Sequence, residues 1–323
     1  MSRYLDTVPH PWTRETIETA IFKNFIDARE AIEDTPGGRF WRSLNDLQDT
    51  LWIFQTNTTE LLDEICVFGD RSQNTSFWHE ANANEADAHA RAVKRHIFNC
   101  TSSLMALVDH VRNFQKSFAV DGYTDHLRDS FSTPGLHNFL QCFRNYNTHW
   151  RVAEANWSIR RDFQAGTREA RFVVTKSELL RWDGWCSNAQ KYIADAPDPL
   201  NIYEVFSGYR KLVQKFYSWH RGAVLDQYAS TYKPYLEYKR LYEGLQKKYH
   251  WNMLISHAPE TLNPYEYISR YLPKRQFERF LALEHRSAEQ VDALIQMLGM
   301  EDFCDARLRE KAISLFRRHR DEV

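Results

Sequence analysis

The sequence is poor in residues that interrupt helices, with 11 glycines and 10 prolines in 323 residues. This scarcity favours long helices over a β architecture, which needs many turns. Charges of the two signs nearly cancel, and the formal net charge of −1 excludes a protein that coats nucleic acid along its whole surface. A local basic cleft is compatible with the same balance.

Closely spaced cysteines are also absent, since no two of the five follow the C-x-x-C pattern. An odd number of dispersed cysteines argues against a disulfide framework and against a zinc site. We therefore predict reduced thiols, and neither a metal nor another cofactor. The cysteines are Cys66, Cys100, Cys142, Cys186 and Cys304.

Long apolar runs are missing as well. None approaches the roughly 20 residues that a membrane-spanning helix needs, and residues 1–12 lack the apolar core of a signal peptide. These absences predict a soluble, cytoplasmic protein with no membrane partner.

Helical periodicity dominates what is present. Apolar residues recur at spacings of three and four over about 14–34, 39–68 and 84–118. A further helical stretch is predicted over about 199–250, with an interruption or kink near Pro234. The fold class is therefore mainly all-α, a bundle of long helices.

One small β-hairpin is the only β structure that the sequence predicts. Weak alternation over 156–164 and β-branched residues over 171–175 flank a short turn. The chain then divides into an N-terminal helical bundle over 1–152, the hairpin with a connector over 153–183, and a C-terminal helical region over 184–323. The last region can pack into the same domain as the first.

The stretch Leu136–Arg151, LHNFLQCFRNYNTHWR, combines helical periodicity with polar and charged side chains. Its start is predicted by Ser132-Thr133-Pro134-Gly135, with Pro134 in the first turn and Ser132 or Thr133 as the cap. At about 100° per residue, four aromatic side chains lie within about 60° of one another and form the predicted buried stripe. They are Phe139, Phe143, Tyr146 and Trp150.

Three polar side chains of this stretch suit RNA hydrolysis without a metal. Histidine, whose pKa lies nearest neutrality, can accept or donate the proton of a ribose 2′-hydroxyl or a leaving 5′-oxygen. Arginine can clamp a phosphate while charge builds on its oxygens. Asparagine can donate a hydrogen bond that orients the phosphate or the histidine. The candidates are Arg144, Asn145 and His149.

Their spacing on a helix has a consequence for the site. Asn145 and His149 are four residues apart and share one face, whereas Arg144 and His149 are separated by about 140°. A straight helix therefore does not direct both of these side chains at one small target. Either the arginine side chain folds back, or the site uses the same motif from a second subunit.

The pattern Arg-polar-x3-His at Arg144–His149, set in an all-α chain after several long helices, resembles the HEPN superfamily of ribonucleases. The resemblance covers the motif and its helical setting over roughly 84–152. It implies an endoribonuclease that leaves a 2′,3′-cyclic phosphate and a 5′-hydroxyl, with Arg144 and His149 as the catalytic pair and Asn145 in support. It also implies a homodimer, and a toxin or phage-defence component with a neutralising antitoxin or another defence partner.

The same spacing occurs a second time at Arg91–His96, and Arg279–His285 is a near variant. In both, the arginine is followed by an apolar residue, Ala92 or Phe280, where the superfamily pattern has a polar one. The polar Asn145 therefore distinguishes the motif from these two segments.

Basic residues outside the motif are candidate RNA contacts. Arg112, in the preceding helix, adds positive charge to a cleft if that helix packs beside the motif, or else forms a surface ion pair. In the last helix Arg317, Arg318 and Arg320 either face RNA phosphates or complement the helix dipole and stay solvated.

A non-catalytic protein is the alternative. A helical scaffold or sensor of this kind would bind RNA through the basic last helix, or would bind a protein partner through the hairpin and the Trp182-Asp183-Gly184-Trp185 corner.

Overall fold

The computed structural model describes residues 2–162 and 167–318. It confirms the predicted fold, mainly α-helical with a small β insertion. The α-helices are α1 (Arg14–Lys23), α2 (Phe25–Glu33), α3 (Pro36–Arg71), α4 (Ala83–Ser117), α5 (Tyr123–Ser130), α6 (Leu136–Asn145), α7 (Lys176–Leu179), α8 (Ser187–Asp195), α9 (Ile202–Gln227), α10 (Ala229–Ser256), α11 (Tyr265–Ile268), α12 (Lys274–Leu281), α13 (Ala288–Met297) and α14 (Ala306–Arg318).

A small antiparallel sheet separates two groups of helices along the chain. β1 (Asn156–Asp162) pairs with β2 (Thr167–Val174) as the predicted hairpin. The prediction that this hairpin is the only β structure is wrong, because β3 (Leu200–Asn201) pairs with the end of β2 immediately before α9. Residues 163–166, which hold most of the predicted turn, lie outside the described residues.

The chain folds into two compact units. Unit 1 combines the N-terminal residues up to Arg39 with the residues from Ser230 onward, and unit 2 is Phe40–Ala229. This division differs from the three segments predicted from the sequence, because residues from both ends of the chain contribute to one unit. No helix in the described part of either unit is long and apolar enough to cross a membrane.

In unit 1, the start of α3 packs very closely against α10. A Cβ atom on Gly37 would lie 2.4 Å from the carbonyl oxygen of Thr231 and 2.6 Å from the Cβ of Tyr235. Only glycine therefore fits at the start of α3 without moving α10. Further along, the helices from α11 to α14 share a core, which contains Ile268, Leu272, Phe280, Val291, Leu294 and Phe316.

Unit 2 buries the apolar stripes of its long helices. The apolar stripe of α3 is the one predicted from the sequence over 39–68. Each fully buried phenylalanine in this core stabilises the folded state by roughly 1.5–3 kcal/mol. Aromatic side chains from helices and sheet fill this core. They include Phe40, Phe54, Phe68, Phe143, Phe172, Phe206, Phe216 and Tyr209.

The long helical stretch in the second half of the chain is interrupted, as predicted, but at another residue. The break lies at Tyr228, between α9 and α10, while Pro234 lies inside the second turn of α10. Proline removes the one intrahelical hydrogen bond that its own N–H would donate, and the helix continues through it.

Candidate functional site

The predicted motif lies at the end of α6, in unit 2. Phe139, Phe143 and Tyr146 are buried, as predicted. The rings of Phe139 and Tyr146 lie 5.5 Å and 5.6 Å from the ring of Trp185, centroid to centroid. Trp150, predicted for the same buried stripe, is 41% exposed.

A change of helix type explains the exposure of Trp150. The α-helix ends at Asn145, and Tyr146–Trp150 forms one turn of π-helix, called the π turn below. The Arg151 N–H donates to the carbonyl oxygen of Tyr146, five residues earlier, at 3.0 Å. Since a turn closed by such a bond holds one more residue than an α-turn, a wheel at 100° per residue no longer applies after Asn145.

The beginning of α6 also differs from its prediction. The cap is Gly135, with a φ of 74°, and no side chain caps the helix, so neither Ser132 nor Thr133 has the predicted role. A Cβ atom on Gly135 would lie 2.5 Å from the carbonyl oxygen of Asn188. The left-handed φ and the close approach to α8 both require glycine, and they set the start of the helix.

The buried side chain of Asn147 supports the π turn. Its Nδ2 donates to the carbonyl oxygen of Phe143 at 2.9 Å, and its Oδ1 accepts from the N–H of Ala153 at 2.8 Å. Sequence reasoning did not single out this residue. The available signal was an asparagine inside a helical pattern, because its side chain competes with backbone groups for hydrogen bonds.

A carboxylate in α7 holds the same turn from the other side. Glu178 accepts from the Tyr146 hydroxyl at 3.0 Å and pairs with Arg151 at 3.3 Å and with Arg181 at 3.5 Å. Burial, followed by the hydrogen bond to Glu178, raises the pKa of Tyr146. The phenol therefore stays protonated and acts as the donor.

The three predicted catalytic residues occupy the junction of α6 and the π turn. Arg144 donates from Nη1 to the Oδ1 of Asn145 at 3.1 Å, and its buried Nε has no hydrogen-bond partner in the part of the chain that the structure describes. His149 is exposed, and no hydrogen bond or ion pair joins its ring to another residue in the described ranges. In this arrangement Asn145 orients the arginine, and the imidazole faces solvent.

The π turn also changes the angle between Arg144 and His149. Residues five apart differ by about 140° on an α-helix, whereas a turn closed by an i→i+5 hydrogen bond brings residues five apart towards alignment. Most of the interval between Arg144 and His149 lies in the π turn. Helix geometry therefore leads us to expect a smaller angle between the two side chains than the roughly 140° of a straight α-helix.

The candidate RNA contacts are distributed over both units. Arg112 lies on α4, which packs against α6, and pairs with Asp109 at 3.5 Å. Arg317 and Arg318 are exposed at the end of α14 in unit 1, where they line an open hollow. Arg320 lies outside the described residues.

Each unit contains a cavity. The one in unit 2, about 370 Å³, is bounded by α4, α5, α6 and α9, and Arg112 and His137 line it. His137 Nδ1 lies 2.7 Å from the Tyr209 hydroxyl, and burial, followed by the charge of Arg112, lowers the pKa of His137. The cavity in unit 1, about 520 Å³, has mainly apolar walls, with His257 and Cys304 among its lining residues.

Neither a family model, a curated protein nor a solved structure matches the chain. Among the described residues, no three His, Cys, Asp or Glu side chains are grouped so that they could hold a metal ion. The chemistry available at the π turn is that of an imidazole, a guanidinium and an amide.

Proposed function

We propose that the chain is a metal-independent endoribonuclease of the HEPN type, with the π turn as its catalytic segment. The observation that carries this proposal is an exposed His149 on a π turn that begins two residues after Arg144. The Arg-polar-x3-His pattern of Arg144–His149 supports the same assignment from the sequence.

The proposed reaction uses each of the three side chains. His149 accepts the proton of a ribose 2′-hydroxyl, whose oxygen attacks the adjacent phosphorus while the bond to the 5′-oxygen breaks. The products are a 2′,3′-cyclic phosphate and a 5′-hydroxyl. Arg144 binds the non-bridging oxygens, where charge increases in the transition state, and Asn145 keeps its guanidinium in place.

We further propose that the enzyme is a homodimer. The 5′-oxygen needs a proton as it leaves, and a second His149 can provide it. Exposed apolar side chains at the end of the π turn and just after it support a contact with a second copy, since Trp150 and Val152 are 41% and 48% exposed. An RNase of this kind suits a toxin or phage-defence component whose activity a partner protein restrains.

The test is cleavage of a fluorescent RNA in the presence of a chelator. Arg144→Ala and His149→Ala should each reduce the rate by about 100-fold or more, because each removes a group that acts in the transition state. Arg91→Ala is the matched control, since it alters the other Arg-x4-His segment, and it should leave the rate unchanged. Equal rates for all four proteins would refute the proposal.

Dimerisation is tested separately by sedimentation. Val152→Asp places a charge among the exposed apolar side chains beside His149, so it should shift the protein towards monomer and lower the cleavage rate in parallel. Ile53→Asp, which places the same charge at a 45% exposed apolar position of α3, is the control for dimerisation. A wild-type protein that is monomeric at assay concentrations would contradict this part.

A second candidate function is a non-catalytic scaffold. Three large apolar side chains lie exposed within five residues of unit 1, where Phe22, Phe25 and Ile26 are 69%, 54% and 48% exposed. Such a cluster is typical of a surface that binds another protein. The scaffold predicts no RNA turnover, together with a copurifying partner that is lost in Phe25→Ser; turnover that depends on His149 would refute it.

A further inference from the structure

Two cysteines that are far apart in sequence are adjacent in space. The Sγ–H of Cys142 donates to the Sγ of Cys186 at 3.5 Å. Both are free thiols; Cys142 is buried on the inner side of α6, and Cys186 is exposed immediately before α8. One thiol of the pair is therefore accessible to solvent, and the other is protected beneath it.

The packing of α6 against α8 holds the two sulfur atoms in place. Phe139, one helical turn before Cys142, stacks on Trp185 at 5.5 Å and lies 5.1 Å from the ring of Tyr192. On the far side of this contact, Gly135 allows the backbone of α6 to approach α8. The neighbouring thiols thus follow from the fold and not from the free rotation of two surface side chains.

We propose that Cys142 and Cys186 form a reversible disulfide when the protein meets a hydroperoxide. The sulfur atoms, 3.5 Å apart, must approach to about 2.05 Å to form the bond. The structure favours Cys186 as the residue that is oxidised first, because it is the exposed one. Cys142 then acts as the resolving thiol.

The chemistry balances with hydrogen peroxide as the only co-reactant. The Cys186 thiol gives up its proton, and the thiolate attacks one peroxide oxygen; the O–O bond breaks, a sulfenic acid forms, and the departing hydroxide takes up that proton to give one water. The sulfur of Cys142 then attacks the sulfenic sulfur; the S–S bond forms, the S–O bond breaks, and the Cys142 proton leaves with the oxygen as a second water. Two thiols and one peroxide thus give one disulfide and two waters, and a dithiol reverses the reaction.

The bond would join the motif helix to the segment that begins α8. Cys142 lies two residues before Arg144, so the disulfide would restrain the helix that presents the π turn. The inference does not rest on RNA cleavage, because its readout is the state of the sulfur atoms.

The experiment uses the full chain with Cys66→Ser, which removes an exposed thiol that could join two molecules. Five cysteines less Cys66 leave four. After hydrogen peroxide at about tenfold excess, thiol titration in denaturant should fall from four to two, and the intact mass should fall by two hydrogens. Dithiothreitol should restore both values, and peptide mapping should join the segments that contain Cys142 and Cys186.

Matched variants separate this pair from the other thiols. Cys186→Ser and Cys142→Ser should each lose the internal disulfide, and Cys142→Ser should gain oxygen on Cys186 where the parent loses hydrogen. Cys304→Ser, which leaves the pair intact, should lose two hydrogens like the parent. Gain of oxygen by the parent without loss of hydrogen, or a disulfide between any other two cysteines, would overturn the proposal.

Discussion

Unit 2 contains two Arg-x4-His segments with the same spacing and different surroundings. Arg91–His96 lies within the regular α-helix α4, and Arg144–His149 spans the end of α6 and the π turn. In α4 the two residues are about 140° apart, so that Arg91 is exposed while His96 is 6% exposed. In the second segment the histidine is exposed and the arginine is half-buried.

The electrostatic surroundings of His96 are also those of an enclosed side chain. His96 Nδ1 lies 3.6 Å from the Glu60 carboxylate, and its Nε2 lies 3.1 Å from an Arg95 nitrogen. Burial, followed by the charge of Arg95, lowers the pKa of His96 against the opposing effect of Glu60. His96 is therefore a neutral, enclosed imidazole that contributes to the packing of the core. Two segments with equal sequence spacing therefore have different environments, and helix type and exposure distinguish them.

The largest effect on the difference between the two segments should come from removing the Asn147 side chain, which holds the π turn. Asn147→Ala leaves the Phe143 carbonyl and the Ala153 N–H without their partner, so the free energy of unfolding should fall by about 1–3 kcal/mol. Displacement of His149 should lower RNA cleavage by about 100-fold. Initial rates and urea denaturation measure the two effects.

The control for Asn147→Ala is Asn99→Ala in α4, close to His96, which should change both quantities little. A destabilised Asn147→Ala protein with the wild-type cleavage rate would show that the π turn does not position the histidine.

Replacement of His96 should lower stability, whereas replacement of His149 should lower RNA cleavage. His96→Ala removes a buried side chain and should lower the free energy of unfolding by about 1–3 kcal/mol, whereas His149→Ala should change it by less than about 0.5 kcal/mol. Urea denaturation compares them. Equal losses of stability would mean that the two environments are less different than their exposure indicates.

A third histidine separates the effect of burial from that of a neighbouring charge. His220 in α9 is fully buried, neither ring nitrogen has a hydrogen-bond partner among the described residues, and burial lowers its pKa to about 4. In the unfolded chain a histidine titrates near 6.5. Between these values the unfolded state binds more protons, so the stability present above about pH 6.5 is lost as the pH falls towards about 4.

The expected loss between pH 7 and pH 6 is the smallest of these effects, under about 1 kcal/mol. His220→Phe, similar in shape and unable to bind a proton, should reduce this pH dependence and should not destabilise the protein at pH 7. Urea midpoints at the two pH values measure it for both proteins. An unchanged pH dependence in the variant would assign the effect to other groups.

Much of the fold follows from the period of apolar residues. The stripe of α3 and the first three aromatic residues of the motif stripe are buried because packing in these segments follows the α-helical repeat. The repeat fails where backbone geometry departs from it. Trp150 leaves the stripe at the π turn, whose extra residue has no signature in the apolar pattern.

Long-range pairings were beyond sequence reasoning for a related reason. β3 is two residues long and forms by pairing with β2, so no period within Leu200–Asn201 indicates it. Cys142 and Cys186 become neighbours only through the packing of α6 on α8. Arg144, Asn145 and His149 were proposed from residue type and spacing. The π turn that carries His149 is held by Asn147, at a variable position of the motif, and by Glu178, which lies outside it.

Gly135 sets a constraint that extends beyond its own neighbours. A side chain there would require the start of α6 to move away from Asn188, and a short helix moves as a nearly rigid rod. The far end of that rod is the π turn with His149. Substitution of Gly135 should therefore have the consequences expected of a change in the proposed catalytic segment itself.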